Sequence, residues 1–255
     1  MDAVALALDT GSLPLRRRRE GAGSVTLVGG GPGDPGLLTV RARQLLAGAD
    51  VVVRDRLAPQ VELPPDVEVV DVGKIPGGPS YDQRAIEALL IERARAGQRV
   101  VRLKGGDVHV FGRGIEEVAA CVEAGVPVEV VPGVSSAFSV PAYAGIPVTA
   151  RGVTQSVSVV SAHLPPGHPG STVDWDALAK LKGTLVLLMG VERLTAVCAA
   201  LVAGGRPGST PVAVIRNGTL PTQTVAYGTL DTAGDLDVRA PSVVVIGEVV
   251  EARIP

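Results

Sequence analysis

A β-branched run that leads directly into a glycine-rich loop constrains this chain more than any other segment. Residues 25–28 read Val-Thr-Leu-Val, the loop at 29–36 reads Gly-Gly-Gly-Pro-Gly-Asp-Pro-Gly, and apolar residues at helical spacing follow it. Asp34 is the expected N-cap and Pro35 the expected first helical residue, since proline lacks only a donor that would be unpaired there. The segment therefore predicts a strand, a glycine turn and a helix, an order that brings backbone N–H groups close to a cofactor.

The glycine-rich loop alone leaves two interpretations open. No Gly-Lys-Ser/Thr follows it, so it is not a Walker A loop, and its two prolines break the dinucleotide-binding spacing G-x-G-x-x-G. A cofactor site and an ordinary tight βα turn remain comparable alternatives at this point.

Short β-branched runs alternate with helical patterns from residue 25 onward. In the first half we predict strands at 25–28, 49–53, 68–72, 99–103 and 128–131, and helices at 36–47, 81–96 and 114–124. Such alternation predicts parallel strands joined by crossover helices. A helical segment at 135–145, rich in small residues, follows.

A second unit begins near residue 155. We predict its strands at 156–161, 184–189, 211–215, 222–228 and 242–247, and its helices at 174–181 and 191–203. Because 222–230 also suits antiparallel pairing, this sheet is expected to be mixed. The predicted fold class is α/β with two α/β domains: a flexible leader at 1–24, an N-terminal α/β domain at 25–133, a connecting helix and linker at 134–153, and a C-terminal α/β domain at 154–255. We expect the ligand site in the cleft between the two domains.

Composition excludes several classes of function. Aromatic residues make up 2% of the chain and the net charge is −2, which argues against stacking platforms and basic surfaces for nucleic acid. Cys121 and Cys198 lie in Ala/Val-rich helical patterns and are expected to be buried free thiols, consistent with a reducing, cytoplasmic location. The three histidines are scattered, so no metal site is predicted. No apolar run reaches membrane-spanning length, and the N-terminal arginine run at 16–19 does not resemble a secretory signal.

A second glycine-rich segment, Lys-Gly-Gly-Asp at 104–107, directly follows the predicted strand 99–103. Its glycines leave room for a ligand and free backbone N–H groups. The carboxylate of Asp107 can accept hydrogen bonds or attract a cation; the alternative is an ordinary βα turn with a capping aspartate. Two glycine-rich loops at the ends of parallel strands in one sheet favour a cofactor site more than either loop does separately.

Charged residues follow two other predicted strands. Asp55, flanked by Arg54 and Arg56, fits either a surface salt bridge or a strand-end carboxylate that faces a cleft. Lys74 precedes a loop rich in glycine and proline, and a lone lysine of this kind is ordinarily solvated.

Basic residues in three further loops could together bind a polycarboxylate, since arginine pairs with carboxylates through two parallel hydrogen bonds. They are Arg113, Arg151 and Arg216. Arg113 could instead form a helix-start ion pair with Glu116 or Glu117. No serine nucleophile elbow and no glycosidase-like carboxylate pair is present, so hydrolase functions are disfavoured.

These motifs, in this order, resemble the S-adenosylmethionine-dependent tetrapyrrole methylases over residues 25–250. The segments that carry the resemblance are 28–39, 53–57, 72–74, 101–107, 110–114, 131–137, 143–149, 189–190, 217–219 and 247–250. The resemblance implies transfer of two methyl groups from S-adenosylmethionine to uroporphyrinogen III on the route to siroheme and cobalamin, with S-adenosylhomocysteine as product. A later precorrin methylase and a non-catalytic S-adenosylmethionine-binding homologue are the alternatives. The resemblance also implies a homodimer.

The resemblance also implies roles for individual residues of this sequence. Asp55 is implied as proton acceptor and Lys74 as proton donor, while Arg113, Glu116 and Arg151 match positions that hold the tetrapyrrole or assist deprotonation. The residues implied to line the S-adenosylmethionine site are Pro32, Gly105, Gly106, Asp107, Val110, Ser135, Ser136, Met189 and Gly218.

The sequence departs from the family pattern directly after Asp107. Val108 and His109 stand where the family usually has Pro-Phe. Because proline restricts φ, Val108 predicts a looser loop beside the cofactor. His109 is either a bystander or an added base.

Overall fold

Five parallel strands form the first sheet of the computed structural model, which describes residues 23–73 and 81–254. The strands are β1 Ser24–Gly29, β2 Val51–Arg54, β3 Glu68–Asp71, β4 Arg99–Lys104 and β5 Val128–Val131, in the order β3-β2-β4-β1-β5. The helices of this half are α1 Val40–Ala47, α2 Gln83–Arg95 and α3 Gly114–Glu123. The predicted parallel sheet with crossover helices is confirmed.

The second sheet is mixed, as predicted. Its strands are β6 Val157–Ser161, β7 Thr184–Leu188, β8 Pro211–Arg216, β9 Thr224–Thr229 and β10 Ser242–Ile246, in the order β6-β7-β10-β8-β9. Strands β6 and β7 pair in parallel, and the other pairs are antiparallel. The helices here are α4 Ser136–Tyr143, α5 Trp175–Lys180 and α6 Leu194–Ala203. Helix α4 packs on β7 and β10 through Ala137 and Val140, so its apolar face belongs to the core of the second sheet.

The predicted helix 36–47 is wrong as one continuous element. Residues Pro35–Leu37 form a single 3-10 turn, capped by Asp34, whose Oδ1 accepts a hydrogen bond from the Gly36 N–H at 2.7 Å. Helix α1 begins only after Thr39, whose hydroxyl oxygen accepts from the Ala42 N–H at 3.1 Å. Two capping side chains in succession therefore divide the segment. The predicted helix 191–203 likewise divides into a 3-10 turn at Val191–Arg193 and helix α6.

Of the leader predicted at 1–24, residues 1–22 lie outside the described residues. Ser24, the last residue of that predicted segment, is the first residue of β1. Aliphatic side chains predominate in four core clusters, one on each face of each sheet, because successive strand residues point to opposite faces. On β4, Val100 packs on the side of α2 and α3, whereas Val101 and Leu103 pack on the side of α1. No helix in the described parts of the chain is long and apolar enough to cross a membrane.

Strands β1 and β5 end so close together that only glycine fits between their loops. A Cβ added to Gly133 would overlap the Gly106 carbonyl oxygen and come within 2.6 Å of the Gly29 Cα. All of these are backbone atoms, which cannot swing away as a flexible side chain can.

We therefore expect Gly133→Ala to lower the free energy of unfolding by about 1–3 kcal/mol, the usual penalty for overpacking a rigid site. Gly48→Ala is the matched control, because a Cβ there meets nothing closer than 3.6 Å and its φ is −105°. Urea unfolding of both variants measures the difference, and equal stability of the two would contradict the packing described here.

The two thiols are buried and unpaired, as predicted. Burial raises the pKa of both Cys121 and Cys198 to about 11. At pH 8 roughly one thiol in a thousand is then a thiolate, which is the reactive form.

The folded protein should accordingly react very slowly with a disulfide reagent such as dithionitrobenzoate at pH 8. Both thiols should react at once in denaturant, where the pKa returns to its ordinary value. Rapid labelling of a thiol in the folded protein would show that one of the two helices bearing them opens readily.

Candidate functional site

The two glycine-rich loops are hydrogen-bonded to each other at the carboxyl edge of the first sheet. The Gly31 N–H donates to the Gly106 carbonyl at 3.1 Å, and the Gly106 N–H donates to the Gly31 carbonyl at 2.6 Å. Both residues have positive φ, +82° and +67°, which favours glycine. The neighbouring Gly30 N–H donates to the Lys104 carbonyl at 2.7 Å. The loops after β1 and β4 therefore form one continuous backbone platform, and Pro32 follows directly on it.

The carboxylate of Asp107 ties a third loop to this platform. Its Oδ1 accepts from the backbone N–H of His109 at 2.8 Å and of Val110 at 3.2 Å, and its Oδ2 accepts from the Gly133 N–H at 3.1 Å. Hydrogen bonds to a charged acceptor are stronger than those between neutral groups. One side chain thus fixes the loops after β4 and β5 relative to each other.

Helix α4 begins beside the platform. Ser135 is its N-cap, and the Ser135 hydroxyl oxygen accepts from the Ala137 N–H at 3.3 Å. A Cβ on Gly106 would lie 3.7 Å from the Ser136 backbone nitrogen. The structure therefore brings Ser135, Ser136, Gly106 and Asp107 into one small region at the N-terminus of a helix, where backbone N–H groups favour an anionic group.

A loop from the second sheet contacts the first glycine-rich loop. The Asp34 N–H donates to the Thr219 hydroxyl oxygen at 3.0 Å, and the Tyr143 hydroxyl donates to Asp34 Oδ2 at 2.8 Å. Hydrogen bonds from the Gly36 N–H and the Tyr143 hydroxyl lower the pKa of Asp34. The hydrogen bond to Asp34 in turn raises the pKa of Tyr143. Gly218, the residue before Thr219, lies against Val140 of α4.

A pocket of about 480 Å³ opens beside these contacts; it is lined by Asp34, Pro35, Tyr143, Thr219, Leu220, Pro221 and Gln223. None of these residues is among those predicted to bind ligand. The pocket adjoins two predicted positions along the chain, because Thr219 follows Gly218 and Asp34 lies two residues after Pro32.

Left-handed backbone conformations concentrate in the same loops. The described non-glycine residues with positive φ are Phe111, Arg113, Met189, Asn217 and Thr219. Each of them follows the carboxyl end of β4, β7 or β8. Such conformations cost of order 1–3 kcal/mol each and are found preferentially at functional sites. Met189 directly follows β7 and is about half exposed.

Both phenylalanines of the chain are outside the core. Phe111 is 44% exposed and Phe138, two residues after Ser136, is 46% exposed, whereas aliphatic side chains fill both cores. Val110 and Leu57 are also exposed at this edge. Exposed apolar side chains beside a platform of polar backbone groups fit a ligand that has both an apolar ring system and charged ends.

Asp55 lies at the same edge but belongs to a different set of contacts. Arg102 Nη2 donates to Asp55 Oδ1 at 2.6 Å, and Lys104 Nζ lies 3.6 Å from Asp55 Oδ2. Arg102 and Lys104 also both pair with Glu117 of α3, at 3.1 Å each. We call these four side chains the charge quartet. The flanking Arg54 pairs instead with Asp71, at 2.6 Å.

Sequence reasoning missed three members of the quartet as site residues, although a signal was present. Arg102 and Lys104 alternate with Leu103 on β4, so both point to the face on which Val100 packs. Asp55 shares that face with Val51 and Val53 of the neighbouring strand β2. Glu117 stands opposite on α3. Charges at alternating positions in an otherwise apolar strand indicate a buried, paired cluster.

The residues predicted to hold the tetrapyrrole are exposed. Arg113 donates to both carboxylate oxygens of Glu116, at 2.9 and 2.6 Å, so it forms the helix-start ion pair that the sequence left open. This contact raises the pKa of Arg113 and lowers that of Glu116. Arg151 lies in a turn closed by the pairing of Ala150 with Thr154. Lys74 lies outside the described residues.

The expectation that Val108 loosens its loop is wrong. Its side chain is fully buried in the core between the first sheet and helices α2 and α3. The Val108 carbonyl accepts from the Gly114 N–H at 3.2 Å, and the Asp107 carboxylate holds the next two residues. Apolar packing and three hydrogen bonds take the place of the restriction that a proline ring would impose. His109 is exposed beside this turn.

With this geometry in place, the chain belongs to the tetrapyrrole (corrin/porphyrin) methylases, whose family description matches residues 24–234. The chain is 46% identical over 235 residues to the S-adenosyl-L-methionine-dependent uroporphyrinogen III methyltransferase of Methanosarcina barkeri, with 89% of this chain and 92% of that protein covered. It is also 46% identical over 238 residues to the siroheme synthase of Acinetobacter baylyi, covering 91% of this chain but 52% of the synthase. The chain thus spans about half the length of that relative.

The fold matches that of a solved relative. The uroporphyrin-III C-methyltransferase of Thermus thermophilus, solved with S-adenyl homocysteine, aligns with a TM-score of 0.77 and 40% identity over 90% of this chain and all of that one. The prediction of a tetrapyrrole methylase fold is confirmed.

Because Asp107 ties the loop after β5 to the platform, Asp107→Ala should weaken S-adenosylhomocysteine binding at least about tenfold, since three hydrogen bonds to a charged acceptor are lost. Titration calorimetry measures the affinity. Asp82→Ala is the control, because Asp82 caps α2 through an equivalent hydrogen bond to the Ala85 N–H at 2.8 Å. Unchanged affinity in Asp107→Ala, or an equal loss in both variants, would contradict this role.

Proposed function

We propose that this chain is an S-adenosylmethionine-dependent methyltransferase that adds two methyl groups to uroporphyrinogen III and so produces precorrin-2, a precursor of siroheme and cobalamin. The observation that carries the proposal is the 46% identity to a methyltransferase of this name over nearly the full length of both chains. The match to the A. baylyi synthase involves half of that protein, so only methylation is proposed here.

The platform and its surroundings fit S-adenosylmethionine. Backbone turns at Gly31 and Gly106, the N-terminus of α4 and the half-exposed Met189 together offer polar backbone groups and apolar surface. We assign Pro32, Gly105, Gly106, Asp107, Val110, Ser135, Ser136, Met189 and Gly218 to this site. When bound, the sulfonium supplies an activated methyl group. The protein's own contribution is to position the ring carbon in line with that group and to exclude water.

A proton must leave the macrocycle after methylation, and Asp55 is assigned as its acceptor. Its carboxylate lies at the carboxyl edge of the first sheet, with the side chain one-third exposed. The loop that follows it packs on the platform, since a Cβ on Gly105 would come within 2.6 Å of the Leu57 carbonyl oxygen. Lys74 is assigned as proton donor. A base within reach of the ring contributes about 10²–10⁴-fold to such a step.

Arg113, Glu116 and Arg151 are assigned to substrate binding. A polycarboxylate substrate competes with Glu116 for the guanidinium of Arg113, whose side chain is 58% exposed. Exposed pairs of this kind are weak, so exchanging one carboxylate for another costs little. We further propose that the protein is a cytoplasmic homodimer with its active site between the two α/β units, and that it binds no nucleic acid.

The decisive experiment is incubation with uroporphyrinogen III and S-adenosylmethionine under anaerobic conditions. Mass spectrometry should show a product heavier by two methyl groups, formed together with S-adenosylhomocysteine, because the ring carbons are nucleophilic and the sulfonium is the only methyl source. The same incubation without the protein is the control.

Two results would replace the proposal. A mass gain on a later precorrin but none on uroporphyrinogen III would indicate another methylase of the family. Calorimetric binding of S-adenosylmethionine without methyl transfer to any tetrapyrrole would indicate a non-catalytic homologue.

A further inference from the structure

The four side chains of the charge quartet form a closed ring of ion pairs with equal numbers of positive and negative charges. Arg102 Nε pairs with Glu117 Oε1 at 3.1 Å, while Lys104 Nζ lies 3.1 and 3.2 Å from the two Glu117 oxygens. On the other side, the same two cations face Asp55, at 2.6 and 3.6 Å. Two positive and two negative side chains therefore form a ring of ion pairs, and Gln83 adds a 3.5 Å contact to Glu117.

Burial within the quartet follows a gradient. The Glu117 side chain is 0% exposed, Arg102 2%, Lys104 5% and Asp55 33%. Taking charges out of water is costly, and well-packed apolar side chains usually stabilise a core as well as a buried ion pair does. Stability alone therefore gives no reason for three buried charges here. The quartet thus consists of three buried charged side chains and one accessible carboxylate, that of Asp55. Buried, paired neighbours of this kind hold a functional side chain in a fixed orientation.

We propose that Arg102, Lys104 and Glu117 are positioning residues that hold Asp55 ready to accept a proton during methyl transfer; this inference rests on the function proposed above. Arg102 occupies Asp55 Oδ1 through a short charge-assisted hydrogen bond. Oδ2 lies 3.6 Å from Lys104 Nζ, a longer ion-pair contact, and is the atom assigned to take the proton. Glu117 balances the two cations, which would otherwise repel each other.

In the step that the quartet assists, the methylated macrocycle loses a proton. Methyl transfer leaves the macrocycle with one positive charge. A bond from the ring to hydrogen then breaks, its electron pair returns to the ring, and the proton passes to Asp55 Oδ2, from which water removes it. The quartet holds the carboxylate in one orientation during this step, and a well-oriented base is what makes such a transfer fast.

A double-mutant cycle tests whether the quartet acts through Asp55. Asp55→Asn should lower kcat about a hundredfold and Lys104→Met about tenfold, within the range expected for a general base and its support. In the double variant the loss should equal that of Asp55→Asn alone, because a support has no effect once the base is gone. Affinity for S-adenosylhomocysteine and KM for both substrates should change less than about twofold in Lys104→Met, since the platform is intact.

A conservative variant and a control variant distinguish a positioning role of Lys104 from a general loss of stability. Lys104→Arg keeps the charge and should recover most of the lost kcat. Arg93→Gln removes an ion pair with Glu68, 2.6 Å long, which joins α2 to β3 away from the quartet, and should leave kcat unchanged. If Lys104→Met does not fold, Lys104→Gln, which also removes the charge, takes its place in the cycle under the same criterion.

Three results would overturn the inference. Additive losses in the double variant would show that Lys104 acts independently of Asp55. Full activity of Asp55→Asn would show that Asp55 is not the acceptor, while the methyl transfer itself still stood. Absence of methyl transfer by the unaltered protein would remove the proposed function and, with it, this inference.

Discussion

The backbone pairing of Gly31 with Gly106 is the contact on which the rest of the site depends. It joins the loops after β1 and β4, two neighbouring strands of a parallel sheet, and turns two separate βα turns into one surface. Asp107 extends this surface to the loop after β5 by accepting three backbone hydrogen bonds. Parallel strands place their loops at a common edge, and ligands of open α/β sheets bind there. The glycines let the edge become a flat, polar platform.

Two different kinds of interaction hold the two parts of the site. The platform is held by hydrogen bonds within the backbone and to the carboxylate of Asp107. The charge quartet is held by ion pairs in the interior behind the same edge, with Asp55 as its accessible member. The loop after Asp55 packs on Gly105, so a shift of either part would be transmitted to the other. The site is thereby a rigid edge rather than a set of independent loops.

Much of this arrangement could be predicted from the sequence, because it rests on local patterns. The β-branched runs predict the strands, and Asp34 followed by Pro35 predicts the helical turn. The cap at Thr39 is not evident from the sequence, because apolar residues on both sides of it continue one helical spacing. The membership of the quartet is not evident from the sequence for a different reason. The alternation of charged and apolar residues on β4 indicates buried charges, but their partners are set by strand order, β2 beside β4, and by a helix thirteen to fifteen residues further along. The loop after Asp107 is held by the burial of Val108 and by hydrogen bonds, and the loss of a proline's restriction of φ does not reveal either of them.

A crystal structure of the protein with S-adenosylhomocysteine tests the central claim most directly. The account predicts density for the ligand against the backbone of Gly31 and Gly106, near the first turn of α4, with the sulfur on the side of the edge where Asp55 lies. Density at the opposite, amino-terminal edge of the first sheet, or a ligand that touches neither glycine, would contradict it.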